Sequence, residues 1–212
     1  MKSAITIIRI LFLVLFFALV AIGKPMLWFV IFGLSLLAAL LFGRVYCGYV
    51  CPMNTVMIPV YYMTQKLKIK KFSTPAWLKS GWFSWVMLVI SVLFMIISRR
   101  FLKINLPILL IWLMVSVLLV IPFHPSMFHN TICPFGALQR LFGKAARFSK
   151  NVDREKCFGC KKCEKVCPTQ AIVVQAEDKK AAIDKPICLQ CNECQLVCPK
   201  KAIPYGNLKI NT

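Results

Sequence analysis

The chain has 212 residues, enough for one compact domain or two small ones. Hydrophobic residues make up 59% of it and charged residues 16%, against roughly 45–50% and about 25% in an ordinary soluble domain, which excludes a soluble globule, a disordered tail and a fibrous repeat. The 27 Lys and Arg against 7 Asp and Glu give a net charge of +20, yet long apolar runs separate most of the basic residues, a pattern of a membrane protein and not of a nucleic-acid binder.

Four apolar runs of 17 or 18 residues lead the chain: Ile5 to Ile22, Pro25 to Phe42, Trp82 to Ser98 and Ile104 to Ile121. At about 1.5 Å rise per residue such runs just cross a hydrocarbon core of about 30 Å when helical. Only helices satisfy every backbone group there without water. The expected fold is therefore all-α in the membrane, with four transmembrane helices. Met1-Lys2, the apolar stretch and Ala21-Ile22-Gly23 imitate a signal peptide, but the length of the run and the Arg9 inside it point to a retained anchor. Arg9 is expected to snorkel to the headgroups.

Gly23-Lys24-Pro25 and Arg99-Arg100-Phe101-Leu102-Lys103 read as short turns. The long connection between the second and third spans holds Arg44, Lys66, Lys68, Lys70, Lys71 and Lys79, and Arg140, Lys144, Arg147 and Lys150 follow the fourth. By the positive-inside rule both stretches face the cytoplasm, with both termini on that side of a prokaryotic inner membrane. The lysine run at 66–71 reads as a lipid-facing topology signal, and Trp77, Trp82 and Trp85 as an interfacial belt. No span holds an acidic residue, so an intramembrane carboxylate relay is absent.

Cys47 and Cys51 follow the second span in Cys47-Gly48-Tyr49-Val50-Cys51-Pro52, and His129 and Cys133 follow the fourth in His129-Asn130-Thr131-Ile132-Cys133-Pro134. The two loops read as a weak duplicate, C-x3-C-P against H-x3-C-P. Proline suits the first turn of a helix, which leaves Cys51 and Cys133 at the N-cap, where the helix dipole is expected to lower a thiol's pKa. If the second and fourth spans pack together, Cys47, Cys51, Cys133 and His129 converge as three thiolates and one imidazole, a candidate metal or iron-sulfur site. Thiol chemistry and a plain packing role are the competing readings. His124, at the membrane boundary, reads as an interfacial hydrogen-bonding group.

The tail carries the strongest pattern. Cys157, Cys160, Cys163 and Cys167 form C-x2-C-x2-C-x3-C before Pro168, and Cys188, Cys191, Cys194 and Cys198 repeat it before Pro199, 31 residues on. Zinc knuckles share the C-x2-C spacing but not the third cysteine and the Cys-Pro, twice over. In this double pattern three cysteines of a run hold one cubane and the fourth crosses to the other. Cluster one then takes Cys157, Cys160, Cys163 and Cys198, and cluster two takes Cys188, Cys191, Cys194 and Cys167. The tail from about Val152 to Tyr205 resembles bacterial dicluster ferredoxins, a small α+β domain with two [4Fe-4S] clusters. Lys161, Lys162, Lys165, Lys200 and Lys201 around it compensate cluster charge, steer an acidic redox partner, or simply keep the tail soluble.

With four spans, paired Cys-Pro loops and the dicluster tail, almost the entire chain resembles the membrane polyferredoxins of the NapH type, quinol-dehydrogenase subunits related to electron donors for nitrous-oxide and copper reduction. Members carry C-x3-C-P in both loops, whereas His129 stands at the first cysteine position of the second loop here. The resemblance implies a membrane electron-transfer subunit that couples a quinol or partner subunit to a ferredoxin-like tail, with room for a third metal or iron-sulfur centre. Expected boundaries are 1–122 for the membrane domain, 123–150 for the membrane-edge loop and basic linker, 151–206 for the ferredoxin domain and 207–212 for a tail. Alternative functions are a metal or thiol reductase delivering electrons to copper or a cofactor, and a redox sensor. No nucleic-acid module is visible.

Overall fold

The computed structural model describes residues 2–75, 78, 81–100 and 108–207. Residues 101–107, with the end of the second turn and the start of the fourth apolar run, lie outside the described residues, as do Trp77, Lys79 and 208–212.

The apolar runs fold as α1 (Lys2–Ala21), α2 (Met26–Phe42), α4 (Phe83–Arg100) and α5 (Ile108–Val120), with α3 (Pro52–Lys66) between the pairs. Their sequences are continuous in Leu, Ile, Val and Phe, so large apolar side chains face outward as well as inward: Leu11, Leu34, Leu93 and Met114 are exposed. Ser3–Ala21 and Phe83–Arg100 are long and apolar enough to cross a membrane, and Met26–Phe42 and Ile108–Val120 are apolar but shorter. Length and composition thus support membrane association through two of the expected spans.

The ends of α1, α2 and α4 mark one side of the helices, with the chain direction alternating from one to the next. Arg9 at the start of α1, Gly43 at the end of α2 and Gly81 before α4 lie against the segments that carry the cysteines. At the opposite end Arg99 of α4 meets Met26 at the start of α2. Lys71 reaches the last carbonyls of α5, donating to Val120 and Ile121 at 2.7 Å each and to Thr64 Oγ1. It caps a helix C-terminus whose carbonyls have no partner within the helix, and is not the lipid-facing charge expected of it.

After α5 the chain makes α6 (Pro125–Met127) and then α7 (Pro134–Gly143). The two proline-started helices pack crosswise: α3, which follows α2, lies against α5 and α1, while α7, which leads on from α5, lies against α2 and α4. Gln139 of α7 donates to Ser35 of α2 at 2.7 Å. The stretch expected as a linker is therefore largely helical and tied to the apolar helices.

The tail begins with β1 (Phe148–Lys150), which pairs antiparallel with β4 (Tyr205–Asn207), so its sheet reaches back to Phe148. Between them lie α8 (Lys162–Val166), β2 (Ile172–Val174), β3 (Ala181–Ile183) and α9 (Glu193–Val197), with Ile172 opposite Ile183 in the second antiparallel pair. The 31-residue duplication is written into the backbone. Left-handed conformations recur at Gly159 and Gln190, at Lys161 and Asn192, and at Gln170 and Lys201. At Gly159 a side chain would collide with the Lys179 carbonyl oxygen, so glycine is required there.

Candidate iron-sulfur sites

In the tail, Cys157, Cys160, Cys163 and Cys198 line one cavity. Cys167, Cys188, Cys191 and Cys194 line a second. Backbone amides aim at the sulfurs: Ala171 N–H donates to Cys167 Sγ at 3.2 Å, Ala202 N–H to Cys198 Sγ at 3.3 Å, and Ala181 N–H to Cys157 Sγ at 3.5 Å. The first two are repeat mates. Such bonds favour the thiolate over the thiol, and the short helices α8 and α9 start beside the loops that turn the sulfurs inward. Burial acts oppositely on the free thiols, pushing Cys163 and Cys188 up to about 11 and Cys194 to about 12. Sulfurs gathered around a cavity become stable thiolates only with a cation among them, and both sets fit an iron-sulfur cluster, the second largely buried and the first with Cys163 buried and Cys160 exposed. All eleven cysteines are free of disulfides.

The two Cys-Pro loops share one geometry. Tyr46–Val50 and Phe128–Ile132 are each a single π-helical turn, closed by Cys51 N–H to the Tyr46 carbonyl and Cys133 N–H to the Phe128 carbonyl, both at 2.9 Å. Each turn opens into a proline-started helix, with the cysteine at the N-cap in extended conformation (ψ 119° and 115°). Single π turns recur at functional sites. The loops match position for position, with Cys47 opposite His129 and Cys51 opposite Cys133.

The N-cap expectation holds in geometry and fails in charge. Gly136 N–H donates to Cys133 Sγ at 3.3 Å. Yet burial and the neighbouring Cys47 push Cys133 up to about 12, outweighing that amide and Arg44. Cys51 is raised as well, by burial first and then by Cys47 and Cys133. Cys51 and Cys133 favour the thiol as they stand, because desolvation in an apolar core outweighs the end of a helix dipole. A bound metal reverses that balance.

Cys47, Cys51, Cys133 and His129 are all buried. His129 Nε2 lies 3.1 Å from Asn54 Oδ1. Burial lowers its pKa to about 3, with Arg44 adding to the shift, so the ring is neutral. With Nε2–H given to Asn54, the ring keeps a lone pair on Nδ1, the arrangement of a metal-binding histidine held by an outer partner. Among the described residues no three His, Cys, Asp or Glu side chains close on a single-ion site. A cubane separates its ligands more widely than a single ion does, and the three cysteines, which act on one another electrostatically, offer thiolate donors of the kind a cluster takes.

Sequence patterns gave no sign of three residues here. Arg44 is 1% exposed, donates to the Ile187 carbonyl at 3.3 Å, lies 3.8 Å from Cys47 Sγ, and has its Nε unpartnered among the described residues. Among the described residues no carboxylate pairs with it. Arg9 does not snorkel: its Nε donates to the Gly48 carbonyl at 2.9 Å and its Nη1 to Glu193 at 3.1 Å. Asn54 orients His129. Arg9 and Asn54 meet partners 184 and 75 residues away, beyond any local motif.

The tail docks on these loops. A Cβ on Gly48 would collide with the Leu189 carbonyl oxygen and stand 3.3 Å from Cys191 Cα, so the first loop rests on a cysteine-bearing turn of the tail. Asn192 donates to Tyr49 Oη at 2.6 Å, and Asn130 of the second loop donates to the Thr169 carbonyl at 2.8 Å. Leu189 and Cys191 share one apolar core with Cys47, Cys51 and Cys133. The Cys157 set is not part of that core, and Cys160 and Phe158 beside its cavity are exposed.

Known proteins bear on this arrangement. Residues 25–70 and 104–153 match a 4Fe-4S binding domain, 156–202 a 4Fe-4S dicluster domain, and 129–178 an LdpA Fe-S cluster-binding domain. Two uncharacterized proteins of Methanocaldococcus jannaschii are 32% and 27% identical over 71% and 68% of this chain and 61% and 66% of their own lengths. The methylamine utilization ferredoxin-type protein MauN of Methylobacillus flagellatus is 28% identical over 66% of this chain and 53% of its own. The chain thus spans roughly half to two thirds of the length of these relatives. No solved structure matches it. The matches mark ferredoxin-type 4Fe-4S domains, and with the cysteine geometry they support an iron-sulfur, ferredoxin-like electron-transfer function.

Proposed function

We propose that the protein is a membrane-bound iron-sulfur wire of the NapH type, passing single electrons between a membrane donor or acceptor, the quinol pool or a partner subunit, and redox partners on the cytoplasmic side. Its four apolar helices span the inner membrane with both termini in the cytoplasm. Domains follow as 1–122, 123–150 and 151–206, with 207–212 a tail, except that the ferredoxin sheet draws Phe148–Lys150 and Asn207 into the third. One [4Fe-4S] cluster is held by Cys157, Cys160, Cys163 and Cys198, and another by Cys188, Cys191, Cys194 and Cys167. Cys47, Cys51 and Cys133, with His129 as the nitrogen ligand, hold a third centre at the membrane edge. Each bound cluster supplies a one-electron centre.

The observation that carries this reading is the seat of Gly48 on Leu189 and Cys191, which makes the membrane-edge cysteines and the second tail set neighbours in one core. Electrons then run from the membrane edge through the Cys188 set to the Cys157 set, whose exposed Cys160 and surrounding lysines face an acidic partner. Replacing Cys47 and Cys51 by Ser tests it: electron delivery to a membrane-side redox partner is expected to vanish while the EPR signals of both tail clusters persist. Unchanged delivery contradicts the reading.

A further inference from the structure

A cavity of about 140 Å³ lies at the seam between α1, α3 and the tail. Arg9 lines it from α1, Ile58 and Tyr62 from α3, and Lys165 from α8 of the tail. One water needs only about 10–15 Å³ of such space, so the cavity has room for a chemical group and not merely for a bridging solvent molecule.

The charges on its walls do not balance. Arg9 and Lys165 stand against a single carboxylate, Glu193, which leaves one positive charge in excess. His124, also on the wall, adds none: burial and then Lys71 lower its pKa to about 4, so the ring is neutral, with Nδ1 accepting from Ser126 N–H at 3.2 Å. Arg9 is 6% exposed, and Glu193 takes only its Nη1; Nε goes to the Gly48 carbonyl and the buried Nη2 has no partner among the described residues. A buried guanidinium with a donor left over calls for a further acceptor. Lys165 is exposed and has no ion-pair partner among the described residues.

We infer that this cavity binds the phosphodiester headgroup of an anionic phospholipid, held by Arg9 from the apolar helices and by Lys165 from the tail. A phosphodiester carries one negative charge, which cancels the excess on the walls and leaves the Arg9–Glu193 pair in place. The arginine fork suits phosphate oxygens, and lysine meets them as a point charge. Acyl chains have a surface to follow, since α1 and α3 expose Ile8, Leu11 and Met63. Basic pockets at the cytoplasmic ends of apolar helices take anionic headgroups in this way. A zwitterionic lipid would bring a quaternary ammonium back to a positive wall, so headgroup charge sets the affinity. A lipid so placed joins the tail to α1, alongside the Arg9–Glu193 pair that already does so.

The inference rests on the membrane reading for the source of the phosphate, but its test reads binding in detergent. Delipidated, anaerobically purified protein is titrated with short-chain phosphatidylglycerol, phosphatidylcholine or inorganic phosphate, and bound ligand is counted by native mass spectrometry. Phosphatidylglycerol is expected to bind saturably, one per chain, and about fivefold or more tightly than phosphatidylcholine, the worth of one basic side chain at a membrane surface. Lys165→Gln, at an exposed position, and Ile58→Trp, which fills the cavity, are each expected to weaken it by about fivefold or more while EPR shows the tail clusters in place. Equal affinity for the two lipids overturns the site, as does unaltered phosphatidylglycerol affinity in either variant. Displacement of the lipid by inorganic phosphate at matched concentration assigns the cavity to a free anion and overturns the lipid. Selective, cavity-dependent lipid binding by a chain whose carboxyl-terminal tag proves periplasmic supports the site and defeats the proposed topology instead.

Discussion

Arg44 places a guanidinium between the Cys47 sulfur and the loop leading into Cys188, buried and without a carboxylate partner among the described residues. A buried charge needs a partner, and here an anionic thiolate-ligated cluster would be its partner on each side. Arg44→Gln is expected to lower the reduction potentials of the membrane-edge centre and the Cys188 cluster by on the order of tens of millivolts, since a positive charge favours the reduced, more negative state. Arg44→Lys should restore most of the shift, and the Cys157 cluster should move least. Redox titration followed by EPR reads all three; potentials that stay put in Arg44→Gln remove this role. The cysteines themselves are legible in the sequence because ligand spacing along a loop is fixed by local geometry. Arg9 and Arg44 are not. The pattern around Arg9 is that of a charge near the end of a hydrophobic run, and only the docked tail shows Glu193 waiting for it.

Two π turns, each followed by a cysteine and a proline-started helix, frame the proposed third centre. Proline at the first helical turn is readable from sequence, because its missing N–H costs nothing there. The π turn is not, since a one-residue widening of a helix leaves no periodic signal. Nor does a span's neighbour in sequence reveal the crosswise packing of α3 on α5 and α7 on α2. The loop sits on the tail through Gly48. Gly48→Ala is expected to cost about 1–3 kcal/mol of stability through overpacking, and to slow transfer between the membrane edge and the tail. Thermal unfolding and stopped-flow reduction of the tail clusters measure the two effects. Wild-type rates in Gly48→Ala would show that the close approach is not the route.

On the molecular scale the charges sort the protein: residues 1–121 hold no acid, while all seven acids fall between Asp153 and Glu193. That asymmetry makes an apolar domain and an iron-sulfur tail legible without a structure. Hidden from it is how far the two merge, since Leu189 and Cys191 join the core of the apolar helices. In the proposed topology both chain ends and the lysines at 66–71 lie in the cytoplasm. A carboxyl-terminal tag should be digested in inverted vesicles and protected in right-side-out ones, and the reverse result contradicts the topology.

Anaerobic iron and sulfide quantitation of the purified protein, with EPR of the reduced state, bears most directly on the wire. Three cubanes correspond to about twelve irons and as many sulfides per chain, falling to about eight in the Cys47→Ser, Cys51→Ser variant. Zinc in place of iron, or an iron content the variant leaves unchanged, contradicts a continuous path from the membrane edge to the tail.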